Sequence, residues 1–67
     1  MNIAKNIKIL RKEKKMSQEK LSRLADISFP SLTKIESGTT ENPTVKTLKK
    51  IADVLEVTVD YLIQENA

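Results

Sequence analysis

Among its 67 residues the sequence has no cysteine, histidine or tryptophan, and only one glycine, one phenylalanine and one tyrosine. Without cysteine there are no disulfides to supplement a small core and no thiolate ligands for a metal. Without histidine the usual zinc sets cannot be completed. The pairing of a nucleophile with a base that enzymes need is equally missing, and no carboxylates group where a cleft is plausible. We expect neither an enzyme nor a cofactor. A chain of this length has one modest core and no room for a deep substrate cavity, so residues 1–67 read as a single domain with one site.

Long apolar runs are also absent. Lys5 and Lys8 interrupt the opening MNIAKNIKIL, which therefore lacks the uninterrupted segment of a signal peptide, and no other stretch is long enough to span a bilayer. The first helix is basic and amphipathic, but it has no Trp or Phe to anchor it at a membrane surface. The sequence reads as cytoplasmic, with no membrane partner.

What is abundant is charge, unevenly placed. Residues 1–34 carry nine Lys and Arg against three Asp and Glu, whereas residues 35–67 carry three against six. A basic half attracts a polyanion such as nucleic acid, and it also fits an ordinary lysine-rich solvated surface.

The single Gly and the two Pro fall where helices begin or end, and no repeat or linker separates them. Ile3, Ile7 and Leu10 recur at helical spacing and predict a first helix from about Ile3 to Lys14. Ser17 is placed to cap a second, with Leu21, Leu24 and Ala25 as its inner face. Asp26-Ile27-Ser28 is a short break in which Asp26 tolerates left-handed backbone and Ile27 plugs the corner. Ser28 caps a third helix, Pro30 sits in its first turn, where a missing N–H costs little, and Ser37-Gly38 ends it. Pro43-Thr44 opens a fourth with an apolar stripe of Val45, Leu48, Ile51, Ala52 and Leu55. Thr58 caps a short fifth helix containing Leu62, although β-branched Val57 and Val59 leave a small strand as the alternative there. The fold class is all-α, with no room for a sheet.

Two short capped helices joined by three residues, with inward Leu21, Leu24, Ile27, Leu32 and Ile35, form a helix-turn-helix pattern. Spacing of this kind is common to many helical hairpins. The particular residues say more. Arg11, the Met16-Ser17-Gln18-Glu19 entry, Leu21, the Ile35 to Gly38 ending, Pro43 and the block from Ile51-Ala52 to Leu55 together resemble the lambdoid repressor and Cro-like (Xre) helix-turn-helix family, from Ile7 to Leu62. The sequence departs from that pattern at Ser22, where alanine is usual, and at Asp26, where glycine is common; both replacements are small or turn-compatible.

The resemblance implies a compact five-helix domain that lays its third helix, starting near Ser28, into the major groove of double-stranded DNA. At about 100° per residue, with Leu32 and Ile35 inward, Pro30 and Ser37 point outward, flanked by Thr33 and Lys34. Lys34 suits guanine O6 or N7, Thr33 a base edge or a thymine methyl, and Pro30 apolar contact. Phe29 lies where the two faces meet and is equally placed for packing or for a thymine methyl. Ser31, further round, and Ser37 are assigned to phosphates.

The same resemblance gives Gln18 and Ser28 phosphate contacts, beside which stands simple capping, and it sets Thr39, Thr40 and Asn42 along the DNA backbone. It also pairs Arg11 with Glu36 to tie the first helix to the end of the third. The remaining lysines near the N-terminus read as a solvated face. One domain of this size reads few bases, so a homodimer is expected, with Tyr61, Ile63, Val57 and Val59 as its contact. The function implied is sequence-specific transcriptional regulation, as a repressor. The alternative is an antitoxin-like or controller protein whose main partner is another protein.

Overall fold

The computed structural model describes residues 3–39 and 43–64, and among them there are five helices and no strand. Helix α1 is Ile3–Glu13, α2 Gln18–Leu24, α3 Phe29–Glu36, α4 Val45–Leu55 and α5 Val59–Ile63. None of these is long and apolar enough to cross a membrane.

The starts of α2 to α5 share one device. The hydroxyls of Ser17, Ser28, Thr44 and Thr58 each accept a hydrogen bond from the backbone N–H three residues on, which satisfies a donor that the first turn leaves unpaired. The ends share another. Lys15, Asp26 and Glu56 hold left-handed backbone at φ 55°, 58° and 63°, as does Gly38 at φ 83°. Beyond each of the three non-glycine residues, the next N–H reaches back five residues to a helical carbonyl: Met16 to Arg11, Ile27 to Ser22 and Val57 to Ala52. This closure turns the chain sharply. Asp26 therefore holds the conformation its place in the break requires.

Ile3, Ile7, Leu21, Ala25, Leu32, Ile35, Leu48, Ile51, Ala52, Leu55 and Leu62 make one buried core, with Leu10, Ile27, Val57 and Val59 packed against it. Two expectations are corrected here. Leu24 is 54% exposed, because the inner arc of α2 runs through Leu21, Ser22 and Ala25 and leaves Leu24 about 100° from its centre. Val45 is 71% exposed: it lies in the first turn of α4, about 70° from the centre of the arc of Leu48, Ile51, Ala52 and Leu55. The strand alternative at Val57 and Val59 is also set aside, since Thr58 caps α5 and Val59 begins it.

One buried polar side chain ties the first and last elements. Asn6 donates from Nδ2 to the carbonyls of Leu62 at 2.8 Å and Gln64 at 3.1 Å. Its place follows from the sequence, because Ile3, Asn6, Ile7 and Leu10 are one i, i+3, i+4, i+7 series with a polar residue in the second slot.

Candidate nucleic-acid interface

Helix α3 buries Leu32, Ile35 and Glu36 and turns Phe29, Pro30, Ser31, Lys34 and Ser37 to the surface, with Thr33 half-buried beside them. The outward edge expected from the helical angle is thus continuous, from Pro30 through Thr33 and Lys34 to Ser37. Phe29 is 48% exposed and does not belong to the buried core. Lys34 is exposed and makes no ion pair among the described residues.

What holds this edge in place is a network around one buried carboxylate. Arg11 Nε donates to Glu36 Oε2 at 2.8 Å and Nη2 to Oε1 at 3.0 Å, a bidentate pair. Arg11 Nη1 donates to the carbonyl of Met16 at 2.7 Å, in the turn between α1 and α2. Gln18 Nε2 donates to Glu36 Oε1 at 3.1 Å. The end of α3 is thereby joined to α1, to the turn that follows it and to the first residue of α2, which fixes the angle between the two motif helices. The pairing of Arg11 with Glu36 was suggested by resemblance; the part of Gln18 in it was not. Gln18 was expected on phosphate or as a simple cap, and here its amide Nε2 is engaged within the protein.

The hydroxyls along α3 are all engaged with one another or with the backbone. Ser28 Oγ accepts from the N–H of Ser31 at 3.2 Å and donates to Ser31 Oγ at 2.7 Å. Thr33 Oγ1 donates to the carbonyl of Pro30 at 2.9 Å. Ser37 Oγ donates to the carbonyl of Lys34 at 3.0 Å and lies 2.9 Å from Thr39 Oγ1. Thr39 is exposed at the end of this edge, while Thr40 and Asn42, also assigned to the DNA backbone, lie outside the described residues.

Two contacts away from this edge were not anticipated. Lys14 Nζ meets Glu56 Oε1 at 2.7 Å, joining the end of α1 to the junction of α4 and α5. Lys50 Nζ donates to the carbonyl of Asp26 at 3.4 Å, bracing the turn before α3. Neither could be read from spacing, because each joins residues far apart in sequence.

A family model described as helix-turn-helix matches residues 7–62. The chain belongs to the Xre-type helix-turn-helix family. It is 38% identical over 61 residues to the HTH-type transcriptional regulator YqaE of Bacillus subtilis, covering 91% of this chain and 52% of that protein. It is 36% identical over 63 residues to the HTH-type transcriptional regulator SinR of the same organism, covering 94% and 57%. The chain therefore spans little more than half the length of these curated relatives.

Among solved structures, the N-terminal DNA-binding domain of SinR from Bacillus subtilis superposes with a TM-score of 0.92 at 36% identity, over 96% of this chain and 93% of that one. SinR in complex with DNA, described as the master regulator for biofilm formation, gives 0.89 at 35% identity, over 92% and 98%. A complex of SinR with SinI gives 0.91 at 36% identity, over 94% of this chain and 61% of that chain. The five-helix architecture is that of the SinR N-terminal domain.

Proposed function

We propose that this helix-turn-helix chain binds specific sites on double-stranded DNA and regulates transcription, as a repressor, by setting α3 into the major groove. The observation that carries this reading is the match to a SinR chain solved with DNA, over nearly its whole length, together with an α3 edge of exposed Pro30 and Lys34 and half-buried Thr33. Phe29 extends the edge toward a thymine methyl. Gln18, Ser28, Ser31, Ser37, Thr39 and Thr40 are proposed along the phosphates, where short polar groups and helix N-terminal N–H groups fix register without reading sequence. Two copies acting on half-sites about 34 Å apart would lengthen the sequence read, with exposed Tyr61 and half-buried Val57, Val59 and Ile63 at the two-fold.

The test is binding to a library of duplex fragments over a series of salt concentrations. A groove reader keeps a preferred fragment as salt rises, while nonspecific attraction fades for all of them. Equal affinity for every fragment at each salt concentration rules the reading out.

A second reading, a controller whose main partner is a protein, has one specific support: a similar SinR chain is solved in complex with SinI. A partner that co-purifies in one-to-one ratio and displaces the DNA favours it, and tight promoter binding by this chain alone favours the first.

A further inference from the structure

The hydroxyls of α3 look alike in sequence, but their hydrogen bonds make them chemically different. A backbone carbonyl has no proton, so a hydroxyl bonded to one must be the donor. Thr33 donates to the carbonyl of Pro30 and Ser37 to that of Lys34, the back-bonding to the preceding turn that helical Ser and Thr favour. Outward, each has only lone pairs to offer. Ser37 is further occupied by the N–H of Thr39, 3.4 Å away, and by the Thr39 hydroxyl, which must be the donor because the Ser37 proton is spent on Lys34. Thr33 has no such second neighbour among the described residues, and it is followed in the helix by Lys34, which is exposed and makes no ion pair among the described residues.

Resting on the reading of α3 as the helix that enters the groove, we infer that Thr33 is an acceptor-only reader: it selects the base pair that places an exocyclic amino group, adenine N6 or cytosine N4, opposite its Oγ1. The neighbouring Lys34, which can only donate, takes an acceptor such as guanine O6 or N7. The two adjacent side chains thus have opposite polarity, and the pair specifies a donor beside an acceptor on the floor of the groove. Contact with the thymine O4 would require Thr33 to give up its bond to Pro30 and turn its proton outward.

The experiment compares the full chain with Thr33→Val, which keeps the shape and loses the hydroxyl, and with Thr33→Ser, which keeps the hydroxyl. Thermal unfolding checks that each variant folds. Selection from a randomised duplex locates the base pair whose preference disappears in Thr33→Val. That pair is then rebuilt with an analogue lacking the exocyclic amino group, and separately with one lacking the exocyclic carbonyl oxygen. Removing the amino group should weaken the unaltered chain and Thr33→Ser by about three- to tenfold, the range for one net hydrogen bond, and leave Thr33→Val unchanged. Sensitivity to the carbonyl oxygen instead, or selection in which no base pair depends on Thr33, overturns the inference while leaving DNA binding intact. A chain that selects no sequence at all removes the reading of α3 itself, and this inference with it.

Discussion

The guanidinium of Arg11 and the carboxylate of Glu36, separated by 25 positions in sequence, meet in two parallel hydrogen bonds of 2.8 and 3.0 Å. The pair is largely shut off from water: the Arg11 side chain is 12% exposed and that of Glu36 1%. In so dry a place the charges are interdependent. With Arg11 removed, the Glu36 carboxylate stays buried with Gln18 as its remaining side-chain partner. We expect Arg11→Ala to destabilise the fold by about 3–5 kcal/mol in urea denaturation, whereas Arg11→Met combined with Glu36→Met recovers most of the loss. A cost below about 1 kcal/mol for Arg11→Ala would show that the network does not hold α3 to α1.

Asp26 tests the turn between α2 and α3. Its φ of 58° is one that a side chain resists and glycine accepts freely. Asp26→Gly relieves that strain but gives the unfolded chain more freedom, and the two effects oppose each other. The strain is the larger, so a net stabilisation of about 0.5–1 kcal/mol is expected, read as a higher denaturation midpoint at unchanged slope. A lower midpoint means that the aspartate side chain makes a favourable local contact larger than the strain.

How much of this was legible beforehand follows the range of the interactions. Caps at Ser17, Ser28 and Thr58 and the left-handed Asp26 are local chemistry, set by a residue and its neighbours within a turn, and the sequence displays them directly. Leu24 and Val45 were misplaced because an apolar residue on the shoulder of a helix is buried only if a neighbour covers it, and neighbours are a tertiary fact. Lys15 and Glu56 hold left-handed backbone without the Gly or Asn that would announce it. The α3 edge was legible as an angle. The polarity of its hydroxyls was not, since it depends on which carbonyl each one meets.

Lys14 and Glu56 give a prediction in pH. The hydrogen bond from Lys14, and then its positive charge, hold the Glu56 carboxyl below its ordinary value. A depressed folded-state value means that the ion pair contributes at pH above the unfolded carboxyl value, and that this contribution fades as pH falls through the folded one. The pair is exposed, so the effect on stability is small and weakens with salt. Following the Glu56 carboxyl by NMR should show its titration midpoint rising in Lys14→Met. An unmoved midpoint would mean that Lys14 does not reach Glu56 in solution.

Lys34 carries the sharpest functional prediction, because it is the cation in the middle of the outward α3 edge and no acidic side chain among the described residues competes for it. An ammonium aimed at a guanine edge discriminates between bases, whereas one on phosphate strengthens binding to every sequence alike. If Lys34 reads a base, Lys34→Ala lowers affinity for the preferred site by about 1–3 kcal/mol and relaxes the preference at one position of the half-site, while affinity for unrelated duplexes changes little. If it lies on phosphate, the loss is the same for preferred and unrelated DNA and the salt dependence falls by about one counterion. Competition binding at two salt concentrations separates these outcomes, and only the first is compatible with Lys34 at the base edges beside Thr33.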